Sequence, residues 1–93
     1  MKRQSTVDFD AFLARLRDTA VSLAKVGLER LSDLPADEAQ EFRRMWPQID
    51  DSRRKKIASS LVELAEENFE LDFTAAFYVA IDDPDAEVRQ QAI

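Results

Sequence analysis

One glycine and three prolines are all the backbone breakers in 93 residues. They stand at Gly27, Pro35, Pro47 and Pro84, and leave long stretches in which nothing interrupts a helix. Ala, Leu, Glu and Arg, which lose little on entering a helix, fill most positions between them. The expected fold class is therefore all-α, with about five helices.

Apolar spacing places those helices. Phe9, Phe12, Leu13, Leu16, Ala20, Leu23 and Ala24 recur at steps of three and four, with Ser5 or Thr6 to cap and Asp8 in the first turn. This predicts one long amphipathic helix over about 7–31. Gly27 within it marks either close helix packing or an early end. Ser32-Asp33-Leu34-Pro35 supplies a capping side chain and an opening proline, and Ala39, Phe42, Met45 and Trp46 then share one face, predicting a second helix over about 35–46. Pro47 turns the chain. Asp50, Asp51 and Ser52 are good caps for a third helix over about 52–68, striped by Ile57, Leu61, Leu64 and Ala65, after which Phe69 and Leu71 are expected to tuck under the connection. Phe73, Ala76, Phe77, Ala80 and Ile81 form one face of a fourth helix whose other sides, Ala75, Tyr78 and Val79, are apolar as well. Such a helix is expected to lie between neighbours. Asp82-Asp83-Pro84-Asp85 ends it, and a fifth helix begins at Ala86.

Composition limits the function classes. A hydrophobic content of 45% with 34% charged residues belongs to globular chains rather than disordered ones. A chain this short hides roughly 60–65% of its unfolded surface, enough for one core. The longest apolar run, Ala75 to Ile81, is far below the roughly 18–20 residues that cross a bilayer, so no membrane role is expected. Met1-Lys2-Arg3 resembles the start of an export signal, but Asp8 and Asp10 interrupt the apolar core it needs, and a cytoplasmic location is the default expectation. The absence of Cys removes disulfides, thiolate nucleophiles and thiol metal ligands. Charge is uneven: residues 1–62 carry twelve basic and ten acidic side chains, and residues 63–93 carry one and nine.

An offset of 35 aligns Phe42 with Phe77, Trp46 with Ile81, Asp50 with Asp85 and Arg54 with Arg89. A period of that size filled by two antiparallel helices is the signature of an α-solenoid. The stretch from Asp82 to Ala92 resembles the inter-helix turn and second-helix start of a HEAT repeat, where an Asp-rich turn precedes Val-Arg and then Ala three positions on. Asp85, Val88, Arg89 and Ala92 fit that pattern residue by residue. The resemblance implies a short right-handed solenoid of antiparallel helical hairpins in a single domain over 1–93: a capping helix over 7–31, a divergent repeat over 35–68 with Arg53 and Ile57 where Val88 and Ala92 stand, and a truncated repeat over 72–93. It also implies that the Asp and Arg are structural, bridging neighbouring turns, and that the protein is a binding scaffold, the N-terminal part of a HEAT-repeat protein. On that reading Ala92 and Ile93 are uncovered apolar residues, and self-association through the C-terminal helix is expected.

Residues that can carry chemistry are few. Glu63, Glu66, Glu67 and Glu70 have helical spacing, but helical metal sites of this kind add His, which the chain lacks. Asp82 to Glu87 alternates oxygens like a calcium loop without its Gly or distal Glu. No nucleophile elbow, phosphate loop or dinucleotide fingerprint is present. No catalytic residue, cofactor or metal is expected, and the protein is read as no enzyme. Arg43, Arg44, Arg53, Arg54, Lys55 and Lys56 bracket the turn at Pro47, either as an ordinary solvated surface or as a patch for nucleic acid or an acidic partner. Trp46 reads as core or as an exposed anchor. Tyr78 lies on a helix with apolar residues to spare. A protein partner is the leading expectation, and nucleic-acid binding through residues 43–56 is the alternative.

Overall fold

A computed structural model describes the backbone of residues 2–92 and the side chains from Asp8 to Ala92. The expected caps Ser5 and Thr6, and the expected apolar end residue Ile93, lie outside the described side chains. The described residues form helices α1 (Lys2–Arg17), α2 (Ala36–Met45), α3 (Asp51–Glu67), α4 (Thr74–Ile81) and α5 (Ala86–Gln91), with single 3-10 turns at Leu23–Lys25, Leu28–Leu31 and Trp46–Gln48. No strand occurs among them, so the chain is all-helical.

The single long helix expected over 7–31 does not form. The α1 helix stops at Arg17, and residues 18–34 continue as turns and short 3-10 segments. Local side chains explain the stop. Asp18 Oδ1 accepts from the Ala20 amide at 2.9 Å, and Ser22 Oγ accepts from the Ala24 amide at 3.3 Å. Such short-range bonds give the backbone an alternative to the helix ladder. Gly27 then takes a left-handed φ of 81°, with nothing within 4 Å of where a Cβ would stand. Its role is conformational, not close packing. The core shifts accordingly: Ala20 and Ala24 are exposed, whereas Val26, Leu28 and Leu31 are buried.

At the start of α2, Pro35 occupies the capping position and no side chain caps it. The residues expected to cap have another task. Ser32 Oγ accepts from the Asp72 amide at 2.8 Å, and the Asp33 amide donates to the Asp72 carbonyl at 2.8 Å. These two bonds staple the turn before α2 to the turn before α4. Asp50 and Asp85 cap α3 and α5 alike, each accepting from the amide two residues on, Ser52 and Glu87.

Helix α2 packs on α1 and α4, α3 packs on α5 and on the 28–31 turn, and α4 packs on α5. One continuous core runs through Phe9, Leu16, Leu31, Phe42, Ile57, Leu61 and Val88. Each large side chain removed from water there contributes about 1.5–3 kcal/mol. Trp46 belongs to this core, its ring 5.2 Å from that of Phe42. The α4 face differs from the expected one: Val79 is buried and Ile81 is exposed. Phe69 does not tuck in, being 96% exposed, while Leu71 is half-buried.

Candidate functional site

The six cations around the Pro47 turn do not form one patch. Arg53 is buried and points at the end of α1, where its Nε donates to the Leu16 carbonyl at 2.6 Å and its Nη2 to the Arg15 carbonyl at 3.2 Å. A cation on the last carbonyls of a helix offsets the negative end of its dipole. Arg54 is buried too. Its Nε donates to Asp83 Oδ2 at 2.8 Å, its Nη2 to Asp83 Oδ1 at 3.4 Å, and its Nη1 to the Ile49 carbonyl at 2.5 Å. Lys55 is half-buried and pairs with Glu87 at 2.7 Å and Asp85 at 3.8 Å. The hydrogen bond to Glu87 raises the Lys55 pKa above its ordinary value. Arg43 is exposed and pairs with Asp82 at 3.2 Å. Among the described residues only Arg44 and Lys56 of the six are exposed without an ion pair.

Asp83 is the hub that sequence reasoning missed. Its carboxylate is fully buried and accepts from Arg54, from Trp46 Nε1 at 2.6 Å, and from the Asp85 amide at 2.8 Å. Its carbonyl accepts from Arg89 Nη1 at 2.7 Å. Arg54 and Arg89, 35 residues apart, thus each bond the turn before their own helix. The signal available was the run Asp82-Asp83-Pro84-Asp85, in which three acids compete for a role and only packing chooses among them.

A second, half-buried pair joins the N-terminal segment to α2. Arg30 forks onto Glu38 with two bonds of 3.0 Å, and its guanidinium lies 4.9 Å from the Phe9 ring centroid. The bond to Glu38 raises the Arg30 pKa. Nearby, the Glu41 pKa is raised, first by burial of its carboxyl and then by the neighbouring Asp10. Glu41 Oε1 is enclosed without a hydrogen-bond donor among the described residues.

Glu63, Glu66, Glu67 and Glu70 are exposed, and no group of three potential metal ligands stands close enough to hold an ion among the described residues. A depression of about 630 Å³ lies where residues 19–24 meet α3. It is polar and mixed in sign, and Arg53, one of its lining residues, has its guanidinium committed to the α1 carbonyls.

Besides the lone Phe69 between α3 and α4, the large apolar side chains left in water among the described residues lie on the outer side of α4. Tyr78 is 63% exposed and Ile81 40%, and Thr74 is exposed one turn before them. At the N-terminal end of this strip a cleft of about 410 Å³ opens between Leu34, Ala75 and Tyr78, with Asp33, Asp72 and Thr74 completing its lining. Asp72 accepts from the Thr74 amide at 3.0 Å and from its hydroxyl at 2.5 Å, bonds that hold its carboxyl below the usual range. Asp33 is the one non-glycine residue with a left-handed backbone among those described, at φ 56°.

No helix among the described residues is long and apolar enough to cross a membrane. A scan against protein-family models finds no matching family, and searches of curated proteins and of solved structures find no relative and no structural neighbour.

Proposed function

We propose that this chain is a non-catalytic scaffold that docks another protein, built as a short right-handed α-solenoid of HEAT-like hairpins with α1 and residues 18–34 as its cap. The order of packing supports the solenoid: α2 meets α4 and α3 meets α5, so each helix of one unit contacts its counterpart in the next. The matched caps at Asp50 and Asp85 support the period of 35.

One observation carries the docking role. The side chains best suited to chemistry or to phosphate, Arg53, Arg54 and Asp83, are consumed inside the fold, while an aromatic and aliphatic strip on α4 is left in water. Exposed apolar strips with a polar rim mark interaction surfaces, and aromatic residues dominate their energetics.

Panning a random-peptide display library on the immobilised protein tests this reading, with duplex and single-stranded DNA and RNA titrated in parallel at about 50 and about 150 mM salt. The expected result is enriched peptides whose binding falls with Tyr78→Ala, and no saturable nucleic-acid binding. Recovery of no peptide, together with nucleic-acid binding that is lost in R43E/R44E, contradicts it.

A further inference from the structure

We infer that the α4 strip and its cleft take a basic amphipathic helix of a partner protein, with apolar residues against Tyr78 and Ile81 and a Lys or Arg between Asp33 and Asp72. This rests on the docking reading above and names the class of partner.

Charge at the cleft selects the partner. Asp33 and Asp72 both line it, and the stretch from Leu31 to Phe42 carries no basic residue at all. Arg43 on α2 is paired with Asp82. Neither Asp33 nor Asp72 has an ion-pair partner among the described residues. Uncompensated carboxylates beside low-dielectric apolar walls attract cations and repel phosphates, which disfavours nucleic acid and anionic lipid on this face.

Geometry selects a helix with a long cationic side chain. Thr74, Tyr78 and Ile81, at steps of four and three, share one exposed face of α4, the spacing at which an apposed amphipathic helix makes its contacts. Leu34, Ala75 and Tyr78 give the cleft apolar lining, and Asp33 and Asp72 give it anionic lining. That profile matches the aliphatic stem and charged head of Lys or Arg, with the Tyr78 ring also able to face the cation. The anionic lining is set in advance, because the turns that bear the two carboxylates are stapled by the Ser32–Asp72 and Asp33–Asp72 bonds of 2.8 Å. A lining already ordered loses little entropy on binding.

The test uses the full chain and a fluorescein-labelled amphipathic helix of Leu and Lys. A Leu/Glu counterpart and a scrambled Leu/Lys sequence of equal charge are the comparisons, read by anisotropy. The Leu/Lys helix is expected to bind saturably and the other two at least about tenfold more weakly. Tyr78→Ala is expected to weaken binding about tenfold, and D33N/D72N severalfold with a loss of salt dependence. Asn keeps the left-handed backbone at 33 and the acceptor for Thr74 at 72, and circular dichroism checks that each variant is folded. E63Q/E66Q removes equal charge elsewhere and should change binding little. Absence of binding, insensitivity to Tyr78→Ala, or an equal loss in E63Q/E66Q overturns the inference. If panned peptides that depend on Tyr78 are neutral or acidic, the docking role stands and the basic partner falls. If Tyr78→Ala abolishes self-association of the chain, the occupant is a second copy, which also overturns it.

Discussion

Arg54 on α3 and Asp83 in the α4–α5 turn form a buried ion pair at 2.8 Å, and Trp46 bonds the same carboxylate oxygen at 2.6 Å. One carboxylate therefore ties the end of α2, the start of α3 and the start of α5 together. Removing it leaves a guanidinium enclosed without its counter-charge, and breaking such a pair from one side costs about 3–5 kcal/mol. Asp83→Ala is expected to lower unfolding free energy by about that amount in urea titrations. Asp83→Asn keeps the shape but also removes the counter-charge, and its NH2 would face one of the donors that the two oxygens now serve, so it should cost a similar amount.

Arg53 acts on a different joint. Because its guanidinium covers the Leu16 and Arg15 carbonyls, Arg53→Met should cost about 1–2 kcal/mol by uncapping α1. Hydrogen exchange locates the effect. Amides of α1 should exchange faster while those of α4 keep their protection. Equal loss across both helices would mean that Arg53 supports the whole core and not the α1 end.

Two carboxyls give stability opposite responses to pH. Glu41 is raised by burial and by Asp10, so the folded protein holds its proton more tightly than the unfolded chain does. Its contribution is full below the ordinary Glu value of 4.5 and is lost as pH rises from there through the folded value. Asp72 is lowered by Thr74, so its contribution is full above the ordinary Asp value of 3.8 and is lost as pH falls through the folded value. Glu41→Gln should flatten the decline on the rising side, and Thr74→Val the decline on the acid side, in thermal melts taken across acid to neutral pH.

Backbone freedom is needed at Gly27, whose φ is 81°. An Ala there meets no neighbour within 4 Å, so its cost is conformational alone, about 1–2 kcal/mol. A larger loss in calorimetry would indicate that the 18–34 segment rearranges.

Much of the helical architecture was legible because apolar spacing and caps agree. Asp50 and Asp85 announce α3 and α5, and Ile57 and Leu61 fix the buried face of α3. The failure at 18–31 has a plain cause: Ala20, Leu23 and Ala24 keep helical phase, yet Asp18 and Ser22 divert the backbone with their own side-chain bonds. The basic cluster misled for a related reason. Spacing shows that Arg53 and Arg54 sit near Arg43, but only tertiary packing reveals carbonyls and a carboxylate waiting for them. Asp33 and Asp72 were invisible as a pair because 39 positions separate them and a backbone staple brings them together. Tyr78 lies on a helix with apolar residues to spare, which left its side open in the sequence, and its exposure defines the α4 strip.

The central claim is that recognition belongs to the α4 strip and not to the cations around Pro47. Amide chemical-shift mapping with a panned peptide on the isotopically labelled chain tests it most directly. The account predicts shifts confined to Ser32–Leu34 and Phe69–Asp82, absent in Tyr78→Ala. Shifts centred on Arg43, Arg44 and Lys56, with the α4 amides unmoved, would contradict it.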